Sequence, residues 1–584
     1  MKNRIWTVCA VVAAAWLGQH VVADDSAQDF GRSVEQRLRS HASALFGIAQ
    51  PLEQSALGPF DGDAASALQV ADSLNVSIVS TAVEPNADMI AMWPDDAHPT
   101  HLFVCIEGGT TGPGVQRIDL SRPPSANATT IVRGTTSCDP IRRTPWGTIV
   151  FAEESSSGGL YEILNPVSIT TPVLILNRGT GATSDPRVVK RKAVGQLAFE
   201  GQAMLPDGTM YFGDELRPGN NPAAGSAGSP GGSIYKFVPM VPRLAAGPIS
   251  DLSQSPLATG QVYGLAVGTG GDVGQGTEIG VGRWIPVDTT LITDSNGNIG
   301  LRTAVLAQHF TGYYRPEDME LDPIALADGQ VRACWTNTGR MTNGGRSTVE
   351  GAAVYSEVMC LNDTPSSDPA IATQAIPHVT RFVAGNPDAN FFDNVAFQPK
   401  SGNLVVLEDG EVEVVKKDGT TELRGNDLWM CLRDGADKDV MTDGCIRFAS
   451  LRDTTSEPTG FIFTSSGRTA YLNLQHRGTG RGALVKITGF RLPHRDDDDH
   501  DDHRARAGTP ALARRRSSSV NAMIFALPPC VLQSFARHSQ PGFPCMQQHP
   551  TLLRGERFDL LVTAPPSARC ATTWTASALL AGHL

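Results

Sequence analysis

One pattern recurs six times between Asp88 and His476, and it constrains the fold more than any bulk property of the chain. A polar or reactive residue precedes an apolar pair. A Pro/Asp/Gly turn follows, then a short apolar run, then an acidic or polar end. The units begin at Asp88, Cys138, Glu200, Glu317, Asp393 and Glu457. They end at Glu107, Glu154, Asp214-Glu215, Asn337, Glu408-Asp409 and Gln475-His476. The interval between the two groups is 19, 16, 14, 20, 16 and 19 residues. Runs such as Thr148 to Ala152, after the Pro145-Trp146-Gly147 turn, are too short for stable helices and rich in β-branched and aromatic residues. The pattern predicts an all-β chain, a six-bladed β-propeller with four-stranded blades.

Propeller blades surround one axis, so equivalent positions in successive repeats form rings around the channel. Cys138, Glu200, Glu317, Asp393 and Glu457 are expected on one ring, and the strand-end acids on a second nearby. Several carboxylates in so small a space cannot all stay ionised, because like charges raise one another's pKa. Bound cations are the natural remedy. A single Glu at a strand end is more often an ordinary turn residue, so the weight rests on six units in register.

Outside the repeat the chain divides by composition. Lys2 and Arg4 precede an apolar run from Ile5 to Leu17, with Val21 and Ala23 at −3 and −1 before Asp24. That is a secretory signal peptide over 1–23, and it predicts a periplasmic or secreted protein with no integral membrane segment after cleavage. Residues 24–80 form a lead-in with an amphipathic helix from Phe30 to Phe46, and 81–490 the propeller. Beyond it, 491–584 opens with the acidic run HRDDDDHDDHR and continues as a disordered or non-native tail. Net charge is −12 without long basic stretches in the main body, which argues against nucleic acid as a partner. Export permits disulfides: Cys334 with Cys360 and Cys431 with Cys445 are candidates for local bridges, and sequence leaves the connectivity open.

Local motifs sharpen the reading. They are Cys138 followed by TPWGT and Glu153-Glu154 at 138–154, YFGDE with a later YKFV at 211–215 and 235–238, RPED at 315–318, DN-x-x-F-x-P-x-x-GNL at 393–404, and EPTG followed by NLQH at 457–476. In this order they resemble the PhoX-type bacterial alkaline phosphatases and the wider PhoX-like propeller family. The resemblance implies a metal-dependent phosphatase that hydrolyses small-molecule phosphate monoesters, with Ca²⁺ and Fe³⁺ at the channel mouth; the chain is expected to be a monomer. It implies Cys138 as the thiolate ligand to iron, with Glu200 and Glu317 bridging iron and calcium. Glu154, Asp214, Asp393 and Glu457 would complete the calcium shell, and Arg315 would grip the phosphate. The chemistry is consistent: carboxylate oxygens suit Ca²⁺, a thiolate suits a softer metal, and Arg is a bidentate clamp for phosphate.

The chain also departs from the family pattern. Phe199 stands where a His precedes the first bridging Glu, and Glu215 replaces the second Asp of a GDD triplet. Cys138 lies one residue further from TPWGT than the family has it. Cys105-Ile106-Glu107 stands where the family has Asn before a His-Glu pair. If Cys105 and Cys138 are neighbours on adjacent blades they could form a disulfide, whose sulfur cannot serve as a thiolate ligand. Two other functions fit the repeat: a non-catalytic calcium-binding propeller serving as an interaction module, and a propeller acting on lactones or phosphotriesters. The Asp434 to Asp443 loop lacks EF-hand spacing, and the closely spaced glycines at 268–276 lack a nucleotide-binding context.

Overall fold

The computed structural model describes residues 32–493, apart from 59, 61, 218–230, 268–278, 340–355, 365–373, 387, 411, 416–420, 434–440 and 479. The expected signal peptide, most of the Gly/Pro/Ser-rich stretch 218–233, the 268–276 glycines, most of the aspartate loop and the tail lie outside the described residues. No helix among the described residues is long and apolar enough to cross a membrane.

The short apolar runs pair mostly antiparallel, hairpin by hairpin, into six blades, and each blade has one strand against the channel. The six innermost strands are β1 (Ala87–Trp93), β2 (Cys138–Arg143), β3 (Gln196–Met204), β4 (Pro316–Leu321), β5 (Phe392–Phe397) and β6 (Glu457–Phe463). From β4 the chain steps outward through Val331–Asn337, Glu357–Asp363 and His378–Ala384. From β5 it steps through Leu404–Glu408, Asp427–Cys431 and Cys445–Leu451. The second blade is less regular, because the long strand Ile149–Ile163 pairs with both β2 and β3.

The last blade is completed from the other end of the chain. Asn75–Ser80 pairs antiparallel with Ala483–Thr488 as its outermost strand, so backbone groups that would form an open edge are satisfied within the ring. The lead-in does more than precede the propeller. It forms two short helices, Arg32–Ser40 and Ala42–Leu45, rather than one from Phe30 to Phe46. Its Leu38, Ala42, Phe46 and Ile48 are buried with Phe448, Phe461, Phe463 and Phe490 of the last two blades.

One local irregularity is repeated in all six innermost strands. In β1, Ala87 pairs with Ile106 and Ile90 with Val104, so Asp88 and Met89 together oppose Cys105 alone. The same two-against-one step falls at Asp139-Pro140, Glu200-Gly201, Glu317-Asp318, Asp393-Asn394 and Gly460-Phe461. These are β-bulges, which bend a strand and re-aim a side chain. Five of the six carry an acid at the first bulged position. The sixth carries Gly460 at φ +62, where a Cβ would meet the Asp88 carbonyl oxygen at 2.6 Å. Gly201 meets a tighter limit: a Cβ there would lie 1.7 Å from the Met319 backbone nitrogen.

A chain starting at residue 81 would leave the last blade three-stranded with an open edge. Its expected behaviour is aggregation, or a melting temperature well below that of the 24–490 chain, measured by circular dichroism. Equal melting temperatures would contradict the closure.

Candidate metal centre

The six innermost strands all start at the same mouth of the channel, so their bulges bring Asp88, Asp139, Glu200, Glu317 and Asp393 together there. A second set comes from the strand beside each, one residue past the ladder pair that precedes the bulge. It supplies Glu107, Glu154, Glu215, Thr338 and Asp409 in blades one to five. The sixth blade is offset by two residues: Glu457 pairs with Gln475 ahead of the bulge, and His476 follows.

Two triads are close enough to share a cation each. Asp139, Glu154 and Glu200 offer oxygens within 4.8 Å of one another, and so do Asp393, Asp409 and Glu457. Between them, Arg315 binds Glu215 through Nε at 2.8 Å and Glu317 through Nη2 at 2.7 Å. Arg315 holds a left-handed backbone, φ +57, which is unusual for a residue with a side chain. Thr338 Oγ1 lies 3.0 Å from the same Glu317 oxygen. Gln475 Nε2 donates to Glu107 at 2.6 Å.

The structure brings Glu154, Glu200, Glu317, Asp393, Glu457 and Arg315 to this mouth and turns two expected ligands away. Asp214 is the last residue of its strand and Glu215 follows it directly, so their side chains leave on opposite faces. Asp214 is buried on the far face, gripped by Arg302 at 2.6 to 3.1 Å, while Glu215 reaches Arg315. Cys138 is likewise turned away. It forms a disulfide with Cys105 of the first blade, and both sulfurs lie in an apolar cluster with Phe103, Ile141 and Phe151. A disulfide sulfur is no thiolate, so the expected iron ligand is absent from this arrangement. The candidate local bridges Cys334–Cys360 and Cys431–Cys445 both form, each between directly opposed strand residues. The residue that faces the cluster from β2 is Asp139, the neighbour the sequence reading passed over. Its signal was the spacing: Asp139 is one residue nearer to TPWGT than Cys138.

Below the mouth the channel is filled. Arg142 binds Asp318 at 3.0 Å and Glu320 at 2.5 Å, so the second acid of RPED belongs to an ion-pair plug rather than to the triads. A cavity of about 270 Å³ beyond it, lined in part by Arg142, Gln202 and Glu320, opens toward the other mouth. TPWGT also acts away from the acids. The turn closes by hydrogen bonds between Thr144 and Thr148 and from Gly147 N–H to the Thr144 carbonyl. Trp146 is fully buried and donates to Glu162 at 2.7 Å. Glu162 also accepts from Thr148 and Arg191.

Burial dominates the electrostatics of the mouth. Desolvation, reinforced by neighbouring carboxylates, raises Asp88, Glu200, Asp393 and Glu457 well above the ordinary carboxyl range. Desolvation pushes Asp139 up to about 7 and Glu154 up to about 11, with Glu107 adding to both. Glu317 is pushed by burial to about 8 although Arg315 opposes the shift. Burial disfavours the charge on Arg315, but Glu317 and Glu215 hold it protonated.

The metal-free fold therefore keeps protons that the unfolded chain releases near 3.8 and 4.5. That contribution to stability is full below those values and is lost as pH rises through about 7 and about 8. Cations bind the deprotonated carboxylates and reverse the sign. The chelated protein is expected to lose melting temperature between about pH 6 and about pH 9, and Ca²⁺ to restore it, more so at the higher pH. A chelated protein that gains stability over that range would count against a carboxylate-crowded mouth. Trp146→Ala should cost about 3–5 kcal/mol in denaturant unfolding, while calcium bound per folded chain stays unchanged. Loss of calcium at full stability would instead tie the turn to the acids.

The sequence model of the family "Alkaline phosphatase PhoX" matches residues 182–478. The match takes in Glu200, Glu317, Asp393, Glu457 and Arg315, and starts after Cys138, Asp139 and Glu154. No curated protein matches the chain. Among solved structures, Pseudomonas fluorescens PhoX in complex with vanadate, a transition state analogue, superposes with a TM-score of 0.50 at 16% identity. The superposition covers 74% of this chain and 98% of that one. At that identity it shows the propeller fold. A gluconolactonase from Xanthomonas campestris, with 11% identity, covers 76% of this chain and 97% of its own, and its TM-score of 0.32 is too low to bear on function.

Proposed function

Because the chain belongs to the alkaline phosphatase PhoX family, and is thereby a phosphoric monoester hydrolase, we propose that it works at the carboxylate-lined mouth on small-molecule phosphate esters. The observation that carries this reading is Arg315, held between Glu215 and Glu317 at the meeting point of two carboxylate triads. Two of its guanidinium nitrogens, Nε and Nη2, are held by those carboxylates. Its Nη1 is engaged by neither and is the group offered to a phosphate oxygen. An Arg fork pinned in this way loses little freedom when it grips an anion.

Calcium fits the donor set, since hard cations prefer several carboxylate oxygens and both triads offer them. Asp139, Glu154 and Glu200 would hold one cation, and Asp393, Asp409 and Glu457 another. When bound, such cations neutralise the phosphate, template its oxygens and act as Lewis acids toward it. The protein's own residues do the rest. Arg315 orients the phosphate, Glu215 and Glu317 orient Arg315, and Thr338 holds Glu317 from behind. Carboxylates that face no cation repel a phosphate dianion, so ester binding and metal loading should be coupled.

The protein is proposed to act outside the cytoplasm as a monomer. The signal peptide over 1–23 and the three disulfides support export, because such bridges persist in oxidising compartments. Purified mature protein loaded with calcium should release p-nitrophenolate from p-nitrophenyl phosphate. Arg315→Ala and Glu317→Gln should each lower kcat/KM by at least about 100-fold without unfolding the chain. Metal-replete protein that turns over no monoester at neutral or alkaline pH would favour the calcium-binding interaction module instead.

A further inference from the structure

We infer that the metal centre of this chain is free of sulfur, with Asp139 as a ligand on β2, and that it takes hard, oxygen-loving divalent cations of the calcium class. The inference rests on the reading of this mouth as the working site, and it departs from a centre with a thiolate-bound iron.

Three observations carry it. Asp139 is the first residue of the β2 bulge, the position from which Asp88, Glu200, Glu317 and Asp393 also enter the channel. Its oxygens lie with those of Glu154 and Glu200 within 4.8 Å. Asp139 is 5% exposed, and its Oδ1 has no hydrogen-bond partner. A buried carboxylate oxygen without a donor is costly to keep, and a cation satisfies it directly.

The sulfur is excluded by the same strand geometry. Cys138 precedes the bulge, so its side chain leaves toward the first blade, where it meets Cys105. Cys105 in turn opposes the Asp88-Met89 bulge and stands two residues before Glu107. The disulfide therefore links the strand that carries Asp139 to the strand that carries Glu107. Its role here is to brace two carboxylate-bearing segments, not to lend an electron-rich ligand. Among the described residues, both clusters able to hold a cation are built from carboxylates alone.

The test uses the full mature protein, chelated and then titrated with Ca²⁺ by calorimetry, with its visible spectrum recorded after Fe³⁺ is offered. Wild type should bind Ca²⁺, show no visible thiolate-to-iron band, and yield a Cys105–Cys138 peptide on non-reducing mapping. Asp139→Asn should weaken Ca²⁺ binding by at least about tenfold, and Asp139→Glu should recover part of it. The double variant Cys105→Ser with Cys138→Ser should keep Ca²⁺ binding within about threefold of wild type once folded. A visible iron band that disappears with Cys138→Ser would overturn the proposal. So would Ca²⁺ binding that ignores Asp139→Asn, or no Ca²⁺ binding at all. If Asp139→Asn fails to fold, the wild-type spectrum and the Cys105–Cys138 peptide decide the matter alone. Phosphatase turnover is read separately: an inactive protein with Asp139-dependent Ca²⁺ binding overturns the phosphatase reading and leaves this one standing.

Discussion

Six β-bulges around one channel mouth are the constraint on which the rest depends. Each adds one residue to an innermost strand at the same height, and five of the six spend that residue on a carboxylate. The backbone thus holds acids closer together than their charges would choose. Folding cannot relax that crowding without dismantling the ring, so it is met chemically, by protons when metal is absent and by cations when it is present. A pocket lined this way is suited to a cation before anything else. The phosphate-binding role proposed for Arg315 rests on the same crowding, because Glu215 and Glu317 both hold its guanidinium.

The face behind the ring explains why the mouth keeps its shape. In four of the six blades the residue before the second-set group turns into the blade, and there it is tied to an arginine. Glu153 meets Arg178, Asp214 meets Arg302 and Glu408 meets Arg424. In the fourth blade Asn337 relays to Glu357, which meets Arg381. Buried pairs of this kind contribute little net stability, since desolvation offsets much of the attraction. Their consequence is positional: each ties the strand that carries or precedes a site group to a segment further along the chain. Acids on the two faces of one strand therefore differ in function for a geometric reason. Glu215 faces the channel and works with Arg315, while Asp214 one residue earlier is a brace.

Much of the architecture was legible in the sequence. The sixfold recurrence with similar spacing required a ring of blades, and the motifs at 200, 315–318, 393 and 457 named most of the groups that meet at the mouth. The bulges were not legible, because a two-against-one step is defined by the partner strand and leaves no mark in either run alone. That gap produced the errors. Placing Cys138 in register with Glu200 put the wrong residue of β2 on the ring, and the pair Asp214-Glu215 could not be split without knowing which face each occupied. Trp146 and Gly147 form the turn between Cys138 and Glu154, the two ends of the second unit. They lie at the far end of the hairpin, where the indole anchors Glu162.

The sequence by itself determined the class of fold and the chemical character of the site: short apolar runs at repeat spacing can bury their surface only as blades, and acids recurring in step with them must converge. The tertiary structure decided which acid of each pair converges and what becomes of the sulfur. On a strand the side chains alternate, and a single bulge shifts that alternation by one residue. One such shift in β2 separates Asp139, which faces the channel, from Cys138, which is bonded to Cys105 in the apolar layer between two blades.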